Sequence, residues 1–411
     1  MNGSTVTSGA TTETGTAGAA TSGAGLMGAG LVERVRSRLV AAGGPASPAA
    51  VAAAVRAESG GVATDLDVLA ALRLLRQELV GAGPLDELLR DPRTTDVLVS
   101  GEGAVWIDRG SGLEPAGVRF PDEAAVRRLA QRLALAAGRR LDDASPCVDG
   151  WLAEAGVRLH AVLPPVAADG TCLSLRVLRP AAHDLGALRG LGAVGTTAHA
   201  LLRTVLAARL ALLISGGTGT GKTTLLNALL GAVDPRERIV LVEDAEELRP
   251  RHPHVVRLVA RPANIEGAGA VPMRDLVRQA LRMRPDRLVV GEVRGAEVCE
   301  LLAALNTGHD GGAGTVHANS AREVPARLEA LAAPGGLSRA ALHSQLAAAV
   351  QVVLHMRRLR SGMRVLDAVG VLQRAGGEVE VRPAWTRAGG WTDGRSALDA
   401  VLAERDVEPR W

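Results

Sequence analysis

The run Gly216-Gly217-Thr218-Gly219-Thr220-Gly221-Lys222-Thr223 constrains this chain more than any other feature, because of its flanks. An apolar stretch, Leu210 to Ser215, precedes it and a helix-forming stretch, Thr224 to Gly231, follows. It fits the pattern G-x-x-x-x-G-K-[ST] in the strand, loop and helix context that the pattern requires. Glycines let the backbone wrap so that successive N–H groups face one centre, and the helix N-terminus adds partial positive charge there. Such a loop cradles phosphates. Gly216, Gly217, Thr218, Gly219, Thr220, Gly221, Lys222, Thr223 and Thr224 are the expected nucleotide-binding set. Lys222 would reach the β and γ phosphates, and Thr223 would offer its hydroxyl to Mg²⁺.

Lysine usage singles out the same place. Among 411 residues there are 46 arginines and a single lysine, Lys222. Arginine replaced lysine everywhere else, and this position was spared. The net charge is only +3, so no large positive field demands nucleic acid. Aromatic residues make up 1% of the chain: Phe120 and five tryptophans, with no tyrosine. Stacking platforms for single strands are hard to build from so few, and no stable nucleic-acid binding is expected.

Cys147, Cys172 and Cys299 are widely spaced and odd in number, which favours neither a disulfide framework nor a zinc site and fits a reducing compartment. The first thirty residues carry one charge, Glu13, and lack the basic start of a signal peptide. The most apolar later stretch, Ala198 to Ser215, is broken by Arg203 and Arg209. A soluble protein of the cytoplasm is expected.

Composition divides the chain. Residues 1–30 are almost entirely Gly, Ala, Ser and Thr and read as a disordered leader. Residues 31–82 read as short helices broken by glycines, either a small bundle or a linker. Over 83–182, strands at Asp96–Ser100, Ala104–Asp108, Val157–Leu163 and Thr171–Leu178 mix with a helix from Asp122 to Ala137, an α+β domain. From 190 to 375 strands and helices alternate: Leu210–Ser215, a helix from Lys222, Arg238–Glu243, a helix over Pro272–Arg284, then Arg287–Gly291. That rhythm predicts an α/β core with a parallel sheet, whose ligand site lies at the carboxyl ends of its strands. Residues 376–411 give no clear element.

Hydrolysis needs carboxylates beyond the loop, to hold Mg²⁺ and to orient the attacking water. Two strand ends supply them: Glu243 and Asp244, with Glu246 and Glu247 following, and Glu292 after Leu288-Val289-Val290-Gly291. The segment from Thr307 to Ser320 sets His309 and His317 in one glycine-rich stretch. They read as core histidines or as a sensor of the terminal phosphate or of the neighbouring domain. Their spacing brings no third ligand for a metal.

Taken together, these boxes resemble the ATPases of the type II/type IV secretion superfamily, most closely the tight-adherence (Flp) pilus and conjugal-transfer-associated, CpaF-like branch. Gly83-Pro84-Leu85-Asp86-Glu87-Leu88-Leu89, Thr95-Asp96-Val97-Leu98-Val99, Gly138-Arg139-Arg140-Leu141-Asp142 and Gly156-Val157-Arg158 carry the likeness ahead of the loop. The stretch from Leu281 to Arg287 through Gly291-Glu292-Val293-Arg294-Gly295 carries it beyond. The resemblance implies a RecA-like P-loop NTPase core preceded by a smaller α+β N-terminal domain. It implies Glu243 as general base, Glu292 as the acid acting on Mg²⁺ or on its water, and His309 and His317 as histidine-box residues near the nucleotide. Arg158 and Arg176 match arginines that approach the terminal phosphates, with Arg140 a weaker match. The chain departs from the family in lacking a C-terminal four-cysteine metal motif, and in having Gly311-Gly312 where Gly-Ser is frequent.

The expectation is therefore a Mg²⁺-dependent ATPase that powers pilus assembly, protein secretion or conjugal transfer. It would work as a hexameric ring on an inner-membrane platform protein. Two other readings stay open: a nucleotide-gated assembly scaffold with negligible turnover, and a DNA-directed motor.

Overall fold

The computed structural model describes residues 34–35, 37–38, 48–59, 81–101, 103–153, 155–178, 183–264, 267–408 and 411. The chain divides into two units, Met1–Pro92 and Arg93–Trp411. In the first, an alanine-rich run forms a helix over Pro48–Glu58, and Glu58 pairs with Arg34 and Arg38. Gly83–Leu85 makes a single 3-10 turn and Asp86–Arg90 a short helix. The Asp86 carboxylate accepts the Ala82 N–H at 2.8 Å, ordering the entry to that helix. The expected leader and most of the expected helices over 31–82 lie outside the described residues.

The second unit begins with β1 (Asp96–Ser100), β2 (Ala104–Asp108), β3 (Leu113–Arg119), β4 (Cys147–Leu152), β5 (Val157–Val162) and β6 (Cys172–Val177). They form an antiparallel sheet in the order β3-β2-β1-β6-β5-β4. Period-two alternation buries Val97, Val99, Val105, Leu159, Leu173 and Leu175 on one face. A helix over Glu123–Ala136 buries Val126, Leu129 and Leu133 and packs against this sheet. Asp122 caps it by accepting the Ala125 N–H at 2.7 Å, a bond worth about 1 kcal/mol. On the other face the register sets Arg176 opposite both Asp96 and Arg158.

Nine further strands follow: β7 (Leu212–Ser215), β8 (Ile239–Glu243), β9 (Val255–Val259), β10 (Arg287–Val293), β11 (Ala313–Val316), β12 (Val352–Arg358), β13 (Arg364–Ala375), β14 (Glu378–Thr386) and β15 (Gly390–Trp391). Their order is β15-β14-β13-β12-β7-β11-β10-β8-β9. The six from β12 to β9 run parallel and the remaining three extend the sheet antiparallel. Strands β7, β8 and β11 are buried throughout, as a sheet covered on both faces requires. Leu212 and Ile214 pack with Leu201, Leu225 and Leu398 from helices on one side. Leu213 and Val242 pack with Val277, Leu301 and Leu346 on the other. This is the RecA-like α/β core, preceded by the smaller α+β sheet.

Both sheets belong to the unit that starts at Arg93. Contacts such as Arg358 to Gly110 and Arg139 to Ala263 tie the two sheets together. The last stretch of the chain, unread in the sequence, forms β14, β15 and a helix over Arg395–Ala403. Among the described residues no helix is long and apolar enough to cross a membrane.

Candidate functional site

The phosphate loop follows the carboxyl end of β7, and its glycines have the backbone angles the wrap demands. Gly219 and Gly221 have φ of 69° and 95°, in the left-handed region. A Cβ at Gly216 would lie 2.4 Å from the Met356 carbonyl oxygen, so no side chain fits there. Lys222 opens the helix Lys222–Leu230 and is 7% exposed. Its Nζ donates to the carbonyls of Gly216 at 3.1 Å and Gly217 at 2.9 Å. Burial draws its pKa down against the pull of the Glu292 carboxylate.

Strand β11 lies between β7 and β10, and this order brings three expected residues together. His317, just beyond β11, sits 3.4 Å from Lys222 Nζ through Nε2, and the same atom is 2.5 Å from Glu292 Oε1. Glu292 near the end of β10 accepts from Arg294 on Oε2 at 2.5 Å. Burial would raise the Glu292 pKa, but Arg294, His317 and Lys222 together hold it below the ordinary value. The His317 pKa is lowered, by burial and by Lys222, so the ring is neutral at pH 7.

His309 lies elsewhere. Its Nδ1 donates to the Ala304 carbonyl at 3.1 Å, closing the end of the helix Glu297–Leu305. It precedes β11 while His317 follows it, so the two stand at opposite ends of a strand about 13 Å long.

The acidic box splits in a similar way. Glu243, at the end of β8, is 2% exposed and packs beneath Gly291, where a Cβ would meet its Cγ at 2.8 Å. Its Oε1 accepts the N–H groups of Glu247 at 3.2 Å and Leu248 at 2.9 Å. Burial pushes the Glu243 pKa up to about 7. Glu247, four residues on, lines the same cavity as Lys222 and Glu292. Its pKa is raised by burial and by the nearby charges of Asp244 and Glu292.

That cavity has a volume of about 580 Å³, within the range of nucleotide-sized sites. The phosphate loop and the antiparallel sheet both contribute to its walls. Arg158 and Arg176 line it, each with a carboxylate: Arg158 donates to Asp149 at 3.1 and 2.7 Å, and Arg176 to Asp96 at 3.0 Å. The bond to Asp149 raises the Arg158 pKa further. Arg140 pairs with Asp142 and lines a different hollow, beside Asn264.

Three cavity arginines were not among the expected site residues. Arg294 bridges Glu292 to Asp244, and Arg358 and Arg364 come from the β12–β13 hairpin. Arg294 stands in the motif around Glu292, a signal that was present. Nothing distinguishes Arg358 and Arg364 among so many arginines until the hairpin folds over the loop.

Thr223, Glu247 and Glu292 place a hydroxyl and two carboxylates on the cavity wall, oxygen donors of the kind Mg²⁺ prefers. Thr223 Oγ1 donates to Glu247 Oε2 at 3.5 Å. The mutual repulsion that raises the Glu247 pKa is what a divalent cation would relieve. Among the described residues no cluster of three His, Cys, Asp or Glu could hold a metal ion by itself. The donor set fits an ion that takes further oxygens from phosphates.

Residues 78–387 match the family described as Type II/IV secretion system protein. A Mycobacterium tuberculosis protein named for conjugal transfer is 64% identical over 346 residues, 83% of this chain and 98% of that protein. TrbB of Sinorhizobium fredii, also named for conjugal transfer, is 33% identical over 317 residues, 75% of this chain and 93% of its own. Among solved structures, the Legionella pneumophila ATPase DotB is similar with a TM-score of 0.49 and 17% identity, over 78% of this chain and 85% of that one.

Proposed function

Because the chain belongs to the Type II/IV secretion system protein family, we propose that it is a Mg²⁺-dependent ATPase that hydrolyses ATP to ADP and phosphate. The energy would drive conjugal transfer, as the names of its relatives suggest, or pilus assembly or protein secretion. The observation that carries this reading is the meeting of Lys222, Glu292 and His317 at one corner of a cavity lined by the phosphate loop.

Each residue then has a task. Loop N–H groups and Lys222 bind the β and γ phosphates. Thr223 and Glu292 would hold Mg²⁺, Glu292 through a water. The ion, when bound, neutralises charge on the phosphate oxygens. The Glu243–Glu247 pair supplies the carboxylate that turns the attacking water: Glu247 lines the cavity, while Glu243 fixes its backbone and has a proton affinity suited to a base at neutral pH. His317 holds Glu292 in place and reports on the terminal phosphate. Arg158 and Arg176 reach the spreading phosphoryl charge from the antiparallel sheet, where a planar fork suits phosphate oxygens.

The working form is a hexameric ring at the inner face of the membrane, docked on a platform protein. Opening and closing of the nucleotide cavity would move the antiparallel sheet against the core. The test is steady-state phosphate release beside nucleotide binding. Wild type should bind Mg-ATP and release phosphate, while Glu292→Gln should retain ATP and release little. A wild type that binds ATP and releases none is a scaffold, and the ATPase reading fails.

A further inference from the structure

The cavity contains two kinds of arginine. Arg158, Arg176 and Arg294 each face a carboxylate, Asp149, Asp96, and Asp244 with Glu292. Arg358 and Arg364 line the same cavity, and among the described residues no carboxylate pairs with either. Lys222, whose Nζ donates to loop carbonyls, likewise has no carboxylate in an ion pair with it among the described residues.

The hairpin that carries them is fixed against the phosphate loop. β12 pairs with β7 in a register that sets His355 opposite Ser215, and Ser215 Oγ lies 2.9 Å from His355 Nδ1, both buried. The turn closes with Leu359 N–H on the Met363 carbonyl at 2.8 Å, and Arg358 faces Arg364 across the pair. Arg364 donates Nε to the Gly219 carbonyl at 2.9 Å, and a Cβ at Gly221 would lie 3.5 Å from its Cδ. Its two Nη groups make no hydrogen bond among the described residues. Arg358 donates to the Gly110 carbonyl at 2.5 Å, in the turn between β2 and β3.

We propose that Arg364, seconded by Arg358, is a nucleotide-binding residue: a guanidinium anchored on the phosphate loop through Nε that presents its Nη pair to the polyphosphate of the bound nucleotide. This rests on the ATPase reading above and adds the second cationic wall of its site. A planar fork with one edge fixed loses little freedom when it takes two phosphate oxygens on the other. The residue acts on affinity for the ligand's negative charge, and Arg358 holds the hairpin to the antiparallel sheet while adding to the same field.

The experiment is equilibrium binding of Mg-ATP and Mg-ADP to full-length wild type, Arg364→Ala, Arg364→Lys and Arg358→Ala, at about 50 and about 300 mM KCl, with a thermal melt of each. Arg364→Ala should bind Mg-ATP about tenfold more weakly, lose more ATP than ADP affinity, and show a flatter salt dependence at an unchanged melting temperature. Arg364→Lys should recover part of the affinity, and Arg358→Ala should show a smaller loss of the same kind. Unchanged affinity in Arg364→Ala, or a loss with the wild-type salt slope and the wild-type ATP to ADP ratio, overturns the proposal. If wild type itself binds neither nucleotide, the ATPase reading falls and takes this with it.

Discussion

Glu292 Oε1 lies 2.5 Å from His317 Nε2, the acid on β10 and the ring just beyond the end of β11, the parallel strand beside it. The insertion of β11 between the phosphate-loop strand and the acid-bearing strand makes this pairing possible. One ring touches both the acid and the ammonium of Lys222.

His317→Ala should therefore keep Mg-ATP affinity within about threefold and lower phosphate release by about ten- to a hundredfold, the range for a residue that orients a catalytic group. Binding and turnover measured on the same preparation check it. Equal losses in both would assign His317 to binding instead.

Glu243 makes stability depend on pH. Its folded pKa of about 7 lies above the usual 4.5, so the native state binds the proton more tightly than the unfolded chain. Stability is thus lost as pH rises from about 4.5 to about 7, by up to about 3 kcal/mol, and levels off above. Glu243→Gln keeps the Oε1 acceptor and removes the titration. Melting temperatures across this window should fall less steeply for the variant than for wild type, and parallel curves would contradict the assignment.

Arg287 is 2% exposed. Its guanidinium donates to Glu237 at 2.9 and 3.1 Å, to the Leu206 carbonyl at 3.0 Å and to the Gly311 carbonyl at 3.3 Å. Arg287→Ala leaves Glu237 without this partner and should cost about 3–5 kcal/mol, read from the denaturant midpoint. Arg287→Met refills the volume and should cost less. A midpoint unchanged in Arg287→Ala would show that the network carries no stability.

Much of this was legible in residues whose chemistry is local. The loop from Gly216 to Thr223 needs particular backbone angles and one ammonium, and those demands are written in consecutive residues. Strands β1 and β2 show in period two. Glu292 and His317 show as acids and rings after apolar strands. The places of Glu243 and His309 did not show, because the side of a strand end that faces the cavity depends on neighbours far along the chain. Gly291 seals Glu243 in, and the length of β11 sets His309 apart. Strand β14 escaped because Pro383 interrupts it and because the alternation that buries Val379 and Val381 gives way to the adjacent buried pair Ala384 and Trp385. Arg358 and Arg364 gained their place only through the hairpin register.

In the function proposed above, the single lysine of this chain cradles a nucleoside triphosphate that the surrounding acids help to split. Phosphate release from Mg-ATP by wild type and Lys222→Ala, at matched concentration, tests it most directly. Steady release by the wild type and a loss of at least about a hundredfold in the variant are expected. Equal rates from the two proteins would contradict it.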